Sequence, residues 1–255
     1  MKFMKTEKIK FLNRNGQKLT GYLDFPLNKE PKAYAIFAHC FTCSKDLKAI
    51  ANINNSLANA GIASLRFDFT GIGESEGNFS DTNYTGYIDD ILSSAEFLNS
   101  NFEPPKLLIG HSLGGCIAIE SAAKILSAAT VATIGTPAEP SNLSEKLKKT
   151  RDRALLEGSA ETEIGGLKFT FKKEFFDDIE KHKLKPFIKN LNKPLLILHS
   201  PADTYTGIEN AGLIFQAAQQ PKSIISLDDI DHLMLKKEDA MYIGELIAVW
   251  ASKYL

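Results

Sequence analysis

At 255 residues, with 44% hydrophobic and 24% charged side chains, the chain has the composition of an ordinary globular protein, which excludes a disordered or fibrous one. Its 30 basic residues nearly balance 31 acidic ones, so a net charge of −1 leaves no electrostatic footprint for nucleic acid or an anionic membrane. The first residues alternate lysine with single apolar side chains and lack the continuous apolar stretch of a signal peptide; no apolar run nears the roughly 18 residues of a membrane span; and Cys40, Cys43 and Cys116 form no disulfide framework, so the expectation is a cytoplasmic protein in a reducing compartment.

From 8 to 25 the sequence alternates apolar and polar residues about Asn13-Arg14-Asn15-Gly16, which predicts an amphipathic β-hairpin at a sheet edge. Short apolar runs follow at 33–38, 63–67, 106–109, 130–134, 194–199 and 223–227, the pattern of strands buried on both faces of a mostly parallel sheet. Helical stretches alternate with them over 45–60, 84–99, 113–127, 208–219 and 238–252. Such alternation predicts a doubly wound α/β fold whose core is built from 1–136 and 193–255. Residues 137–192 break the rhythm and are too long for an ordinary connection. Within them, 161–171 reads as a hairpin about Gly165-Gly166 and 172–183 as a helix, so this segment is expected to be a lid inserted over the ligand-binding end of the sheet.

One stretch carries chemistry. The apolar run Lys106-Leu107-Leu108-Ile109 enters Gly110-His111-Ser112-Leu113-Gly114, a Gly-x-Ser-x-Gly pentapeptide, and a helical segment leaves it. In that context the glycines allow a sharp strand-to-helix turn that holds Ser112 with its hydroxyl exposed, as a nucleophile requires. A serine hydroxyl is weak until a base takes its proton. His232 follows the last apolar run in the polar turn Asp228-Asp229-Ile230-Asp231-His232, where a loop can bring it over the serine. His111 is turned away by its position beside Ser112, His39 and His199 end buried strands, and His182 lies in the lid.

The group that orients the base falls between serine and histidine in chain order. Asp203 follows the buried run at 194–199, at the strand end where functional groups of open α/β sheets collect. Glu139, after the preceding strand, is its main rival, and Asp228, Asp229 and Asp231 are lesser ones. Backbone N–H groups of Leu113 and, from the loop after the 33–38 strand, Phe41 are expected to form the oxyanion hole.

These motifs together resemble the α/β-hydrolase superfamily from about Leu19 onward. His39-Cys40-Phe41-Thr42 is similar to the His-Gly-Phe-Thr loop of its esterase and serine aminopeptidase-like branch, and Asp68-Phe69-Thr70-Gly71-Ile72-Gly73-Glu74-Ser75 to that branch's Asp-x-x-Gly-x-Gly-x-Ser segment. More narrowly, Phe37 to Lys45, Arg66 to Gly71 and His199-Ser200-Pro201 resemble the hydrolase half of proteins that fuse this fold to an OsmC-like domain. The resemblance implies a predominantly parallel eight-stranded sheet and hydrolysis of carboxylic esters or related acyl compounds with neither metal nor organic cofactor. It leaves open a homo-oligomer or a separate OsmC-like partner.

Cys40 and Cys43 stand where the commoner loop has glycine, which adds bulk beside the acyl site. Asp68 reads as a loop-shaping residue rather than a catalytic one. In the lid, Phe169, Phe171, Phe175 and Phe176 either line an acyl or aromatic pocket or anchor the lid to the body. Two other functions compete: a thiol redox protein using Cys40-x-x-Cys43, which follows a strand and precedes a helix, and a catalytically silent partner of an OsmC-like protein.

Overall fold

The apolar runs from 33–38 to 194–199 become the middle strands of one sheet, whereas the run at 223–227, expected to be buried on both faces, forms its far edge and is only partly buried. The computed structural model describes residues 4–255, and its main sheet contains β1 (Met4–Leu12), β2 (Lys18–Pro26), β3 (Ala33–Ala38), β4 (Ile62–Phe67), β5 (Leu107–His111), β6 (Thr130–Ile134), β9 (Leu195–His199) and β10 (Lys222–Ser226). Their spatial order is β1-β2-β4-β3-β5-β6-β9-β10. β1 pairs antiparallel with β2, and β2 with β4; every later pairing is parallel. The expected hairpin thus forms the sheet edge, with Leu12 opposite Lys18 across its turn.

β3, β4, β5, β6 and β9 are buried at every position, because helices cover both faces. Alternate strand residues serve two separate cores. Ile36, Leu65, Leu108, Val131 and Ile197 point toward α2 (Tyr84–Asn101), α3 (Leu113–Ala122) and α8 (Glu209–Ala217), while Phe37, Ile109, Ile134, Leu196 and Leu198 point toward α1 (Lys48–Asn59) and α9 (Lys237–Ala251). Among the described residues, no helix is long and apolar enough to cross a membrane.

Between β6 and β9 the chain leaves the sheet and builds α4 (Asn142–Lys146), α5 (Lys148–Glu157), the hairpin β7 (Ser159–Ile164) and β8 (Leu167–Lys172), α6 (Lys173–Ile179) and α7 (Leu184–Lys189). The hairpin and α6 match the expectation; α4, α5 and α7 are additional. α5 buries only Ala154, so its sequence offers no apolar stripe to read. The insertion is held by Phe171, Phe175, Phe176, Ile179, Leu184 and Ile188, which join the same core as α2 and α3. Asp178 adds a clamp by accepting from both the backbone N–H and hydroxyl of Thr85, at 2.8 Å each.

Candidate active site

The turn from β5 into α3 places Ser112 at φ 54°, ψ −125°, a conformation that non-glycine residues adopt only when their surroundings impose it. Those surroundings are specific. The Ser112 N–H donates to Ile134 O at 2.8 Å, and its carbonyl accepts from Gly115 N at 2.9 Å. Gly114 lies against the end of β3, where any side chain would strike the carbonyl oxygens of Ala38 and His39. Leu113 opens α3, so its N–H belongs to the first turn, which has no intrahelical acceptor and sits at the positive end of the helix dipole.

Beyond the end of β9, Asp203 Oδ1 accepts the backbone N–H groups of Tyr205 and Thr206, both at 2.8 Å, and Oδ2 lies 2.7 Å from His232 Nδ1. Burial pushes the Asp203 carboxyl up, but the bonds from His232, Thr206 and Tyr205 outweigh it and hold it below its ordinary value. An ionised carboxylate only accepts, so the His232 proton resides on Nδ1 and Nε2 presents a lone pair. Gly135, at φ 54°, leaves room for this contact: a side chain there would begin 3.1 Å from Asp203 Oδ2 and 3.4 Å from His232 Nδ1.

His111 supports the same loop. Its Nε2 donates to the His232 main-chain oxygen at 2.8 Å, and the two rings lie 4.9 Å apart. Burial, chiefly, pulls the His111 imidazole down to about 3, so it is neutral and adds no charge beside His232. A cavity of about 500 Å³ opens over these elements, walled by Ser112, Leu113, His232, Tyr205 and the Cys40–Cys43 loop. Asn142, Leu143, Lys146, Ile164, Gly165 and Leu167 of the insertion close its other side.

Comparison with known proteins gives this arrangement a family. A family model described as serine aminopeptidase, S33, matches residues 29–141. The crystal structure of an esterase domain from a Rhodothermus marinus protein is 40% identical, with a TM-score of 0.80 over 98% of this chain and 99% of that one. The chain belongs to the α/β-hydrolase superfamily. Mouse α/β-hydrolase domain-containing protein 10 shares the fold at 20% identity, with a TM-score of 0.79 over 97% of this α/β-hydrolase and 99% of that chain. In sequence, the mouse mitochondrial palmitoyl-protein thioesterase ABHD10 is 36% identical over 76 residues, which span 30% of this chain and only 24% of the relative. The likeness to the esterase domain over nearly the whole chain makes the protein a hydrolase.

Within this α/β-hydrolase, the residues singled out from sequence divide into two groups. Ser112, His232, Phe41 and Leu113 share the cavity wall, and Asp203 stands behind His232. The rivals hold other bonds, although Asp231 also reaches the cavity wall. Glu139 Oε2 accepts the Leu184 N–H at 2.9 Å, Asp231 caps the N–H groups of Leu233 and Leu235, and His199 Nε2 donates to Thr206 O. Asp68 is structural: it accepts from the backbone N–H and the buried ammonium of Lys45, at 2.7 and 2.8 Å, and so ties down the chain just after the Cys40–Cys43 loop.

Two expectations need correction. Phe169, Phe171, Phe175 and Phe176 do not line the cavity; Phe171, Phe175 and Phe176 are buried, and Phe169 packs on Phe79 at 4.8 Å. Instead the Phe41 ring docks among Phe79, Phe171 and Phe175, at 5.9, 5.8 and 5.6 Å. Apolar rings at a hairpin and helix junction gained more by covering the underside of the insertion than by facing an open cavity. Second, the cysteines do form a disulfide, between Cys40 and Cys43, with only Cys116 free and buried. The turn in which Cys43 N–H donates to Cys40 O brings their Cα atoms to 5.3 Å, a proximity that the Cys40-x-x-Cys43 spacing signals and the odd cysteine count obscures.

His111, Gly135, Lys146 and Tyr205 were not foreseen. A glycine directly after a buried strand was a usable signal for Gly135. For Lys146 nothing in the charged run around it marks one lysine as facing a cavity.

Proposed function

We propose that this hydrolase cleaves carboxylic esters or thioesters through an acyl-enzyme on Ser112. His232 Nε2 takes the hydroxyl proton as Oγ attacks the acyl carbonyl, and Asp203 stabilises the imidazolium through Nδ1–H. The N–H groups of Leu113 and Phe41 receive the oxyanion. Collapse expels the alcohol or thiol, which leaves with the proton from His232; water, deprotonated by the same base, then releases the acid. The sum is one ester or thioester plus one water giving one acid and one alcohol or thiol.

The observation that carries this reading is the 2.7 Å contact of His232 Nδ1 with Asp203, on a cavity shared with a serine held at φ 54°. The esterase domain at 40% identity and the thioesterase relative support the two leaving groups. Segment 137–192 serves as the lid, since its residues supply the far wall of the cavity.

The test is labelling with a fluorophosphonate together with turnover of an ester and thioester panel. Labelling and turnover are expected in the wild type and in Cys40→Ser with Cys43→Ser, and are lost in Ser112→Ala. The opposite pattern would favour the thiol redox reading, for which the Cys40–Cys43 disulfide on the cavity wall is the specific observation.

A further inference from the structure

The cavity wall holds one cation that acyl transfer leaves unused. Lys146, the last residue of α4, is the single lysine or arginine among the described residues on that wall. Its ammonium donates to the Tyr205 main-chain oxygen and lies 3.7 Å from the centroid of the Tyr205 ring. The Tyr205 ring lies 4.8 Å from the ring of His232. One aromatic ring therefore separates the cation from the base, within the reach of a small substrate that spans both.

The ammonium has spare capacity. Of its three N–H donors, one is used by Tyr205, and among the described residues no carboxylate stands within 4.0 Å of it. The nearby acids are committed: Asp203 to His232, Tyr205 N and Thr206 N; Asp231 to two backbone N–H groups; Glu145 to Arg151. Around it the wall is largely apolar, with Leu143, Ile164, Leu167 and Leu233. Burial lowers the proton affinity of this amine, so the charge is held against a desolvation cost that an incoming anion would relieve.

We propose that Lys146 is the anion-recognition group of the pocket, so that the preferred ester or thioester carries a carboxylate seated against this ammonium while its scissile carbonyl lies at Ser112. The assignment rests on the acyl-transfer reading and narrows its substrate class. Two parts of the fold build the subsite: the insertion supplies the cation, and the loop bearing Asp203 supplies the ring and carbonyl that aim it.

Two ester pairs test the assignment and locate the anion. The 4-nitrophenyl monoester of adipic acid is compared with its methyl-capped counterpart for the acyl side, and 4-carboxyphenyl butyrate with phenyl butyrate for the leaving-group side. The readout is the ratio of kcat/KM for the anionic over the neutral member. The wild type should favour the anionic ester in at least one pair, and Lys146→Ala should lower that ratio about tenfold, as expected for one charge-assisted hydrogen bond. Lys146→Arg should restore most of it, and Lys146→Glu should invert it. Added salt should compress the wild-type ratio. Ratios indifferent to all three substitutions in both pairs would overturn the assignment while leaving acyl transfer intact. A wild type that turns over neither ester nor thioester and ignores fluorophosphonate would instead remove the reading beneath it.

Discussion

The strand ends that carry Ser112, Asp203 and His232 and the insertion that faces them are built on different physical terms. At the strand ends, position is set by backbone: a serine forced to φ 54° by the packing of β3 against α3, and a carboxylate fixed by two N–H groups before it meets an imidazole. In the insertion, position is set by side chains: a plug of phenylalanines and a few bonds such as Asp178 to Thr85. Backbone placement tolerates almost no drift and suits bond making. Side-chain packing can be exchanged piecewise, which suits selection among substrates. Phe41 joins the two, since it stands on the cavity wall just after β3 while its half-buried ring packs against Phe171 and Phe175 of the insertion.

That division can be broken at its strongest point first. Ser112→Ala should lower kcat by several powers of ten, and adding His232→Ala should cost little more, because residues that act as a unit are strongly nonadditive; single-turnover kinetics on the double variant checks it. Asp203→Asn should lower kcat by about two to four powers of ten with a smaller change in KM, since an amide can hold the imidazole in the wrong tautomer. Phe171→Ala should cost about 3–5 kcal/mol of stability, measured by denaturant unfolding, as for other buried aromatic truncations. If Phe41 couples the regions, the same variant should also lower kcat on neutral esters; unchanged kcat in the folded fraction would uncouple them.

The smallest effect concerns acid. The Asp203 carboxyl is held below its ordinary value in the folded chain, so it binds its proton less readily folded than unfolded. Its contribution to stability is therefore complete above the unfolded pKa of about 4 and is lost as pH falls through the folded value. The difference in Tm between wild type and Asp203→Asn should narrow as pH drops from 5 to 3, and a constant difference would contradict the linkage.

Periodicity made the sheet legible, because strands buried on both faces write themselves as unbroken apolar runs; 33–38 and 130–134 coincide with β3 and β6. The elbow was legible for a related reason, since Gly-x-Ser-x-Gly between a strand and a helix encodes a backbone shape. The contents of the insertion were harder. Phe169, Phe171, Phe175 and Phe176 are equally apolar whether they face a ligand or a core, and only the tertiary packing around Phe41 distinguishes the two. Lys146 sits in a run of lysines with the same local composition, so its facing a cavity is a property of the fold alone.

Gly135 has a consequence for anyone judging a protein of this kind from its polar residues. A single methyl group at that position would begin 3.1 Å from the Asp203 carboxylate and 3.4 Å from the His232 ring, on a backbone turn that L side chains rarely adopt. The resulting chain would still spell serine, aspartate and histidine in the proper order, yet its acid and base would have to shift by a few tenths of an ångström to make room. The room for the contact of Asp203 with His232 is thus recorded in a missing atom as well as in the side chains that a reader would check.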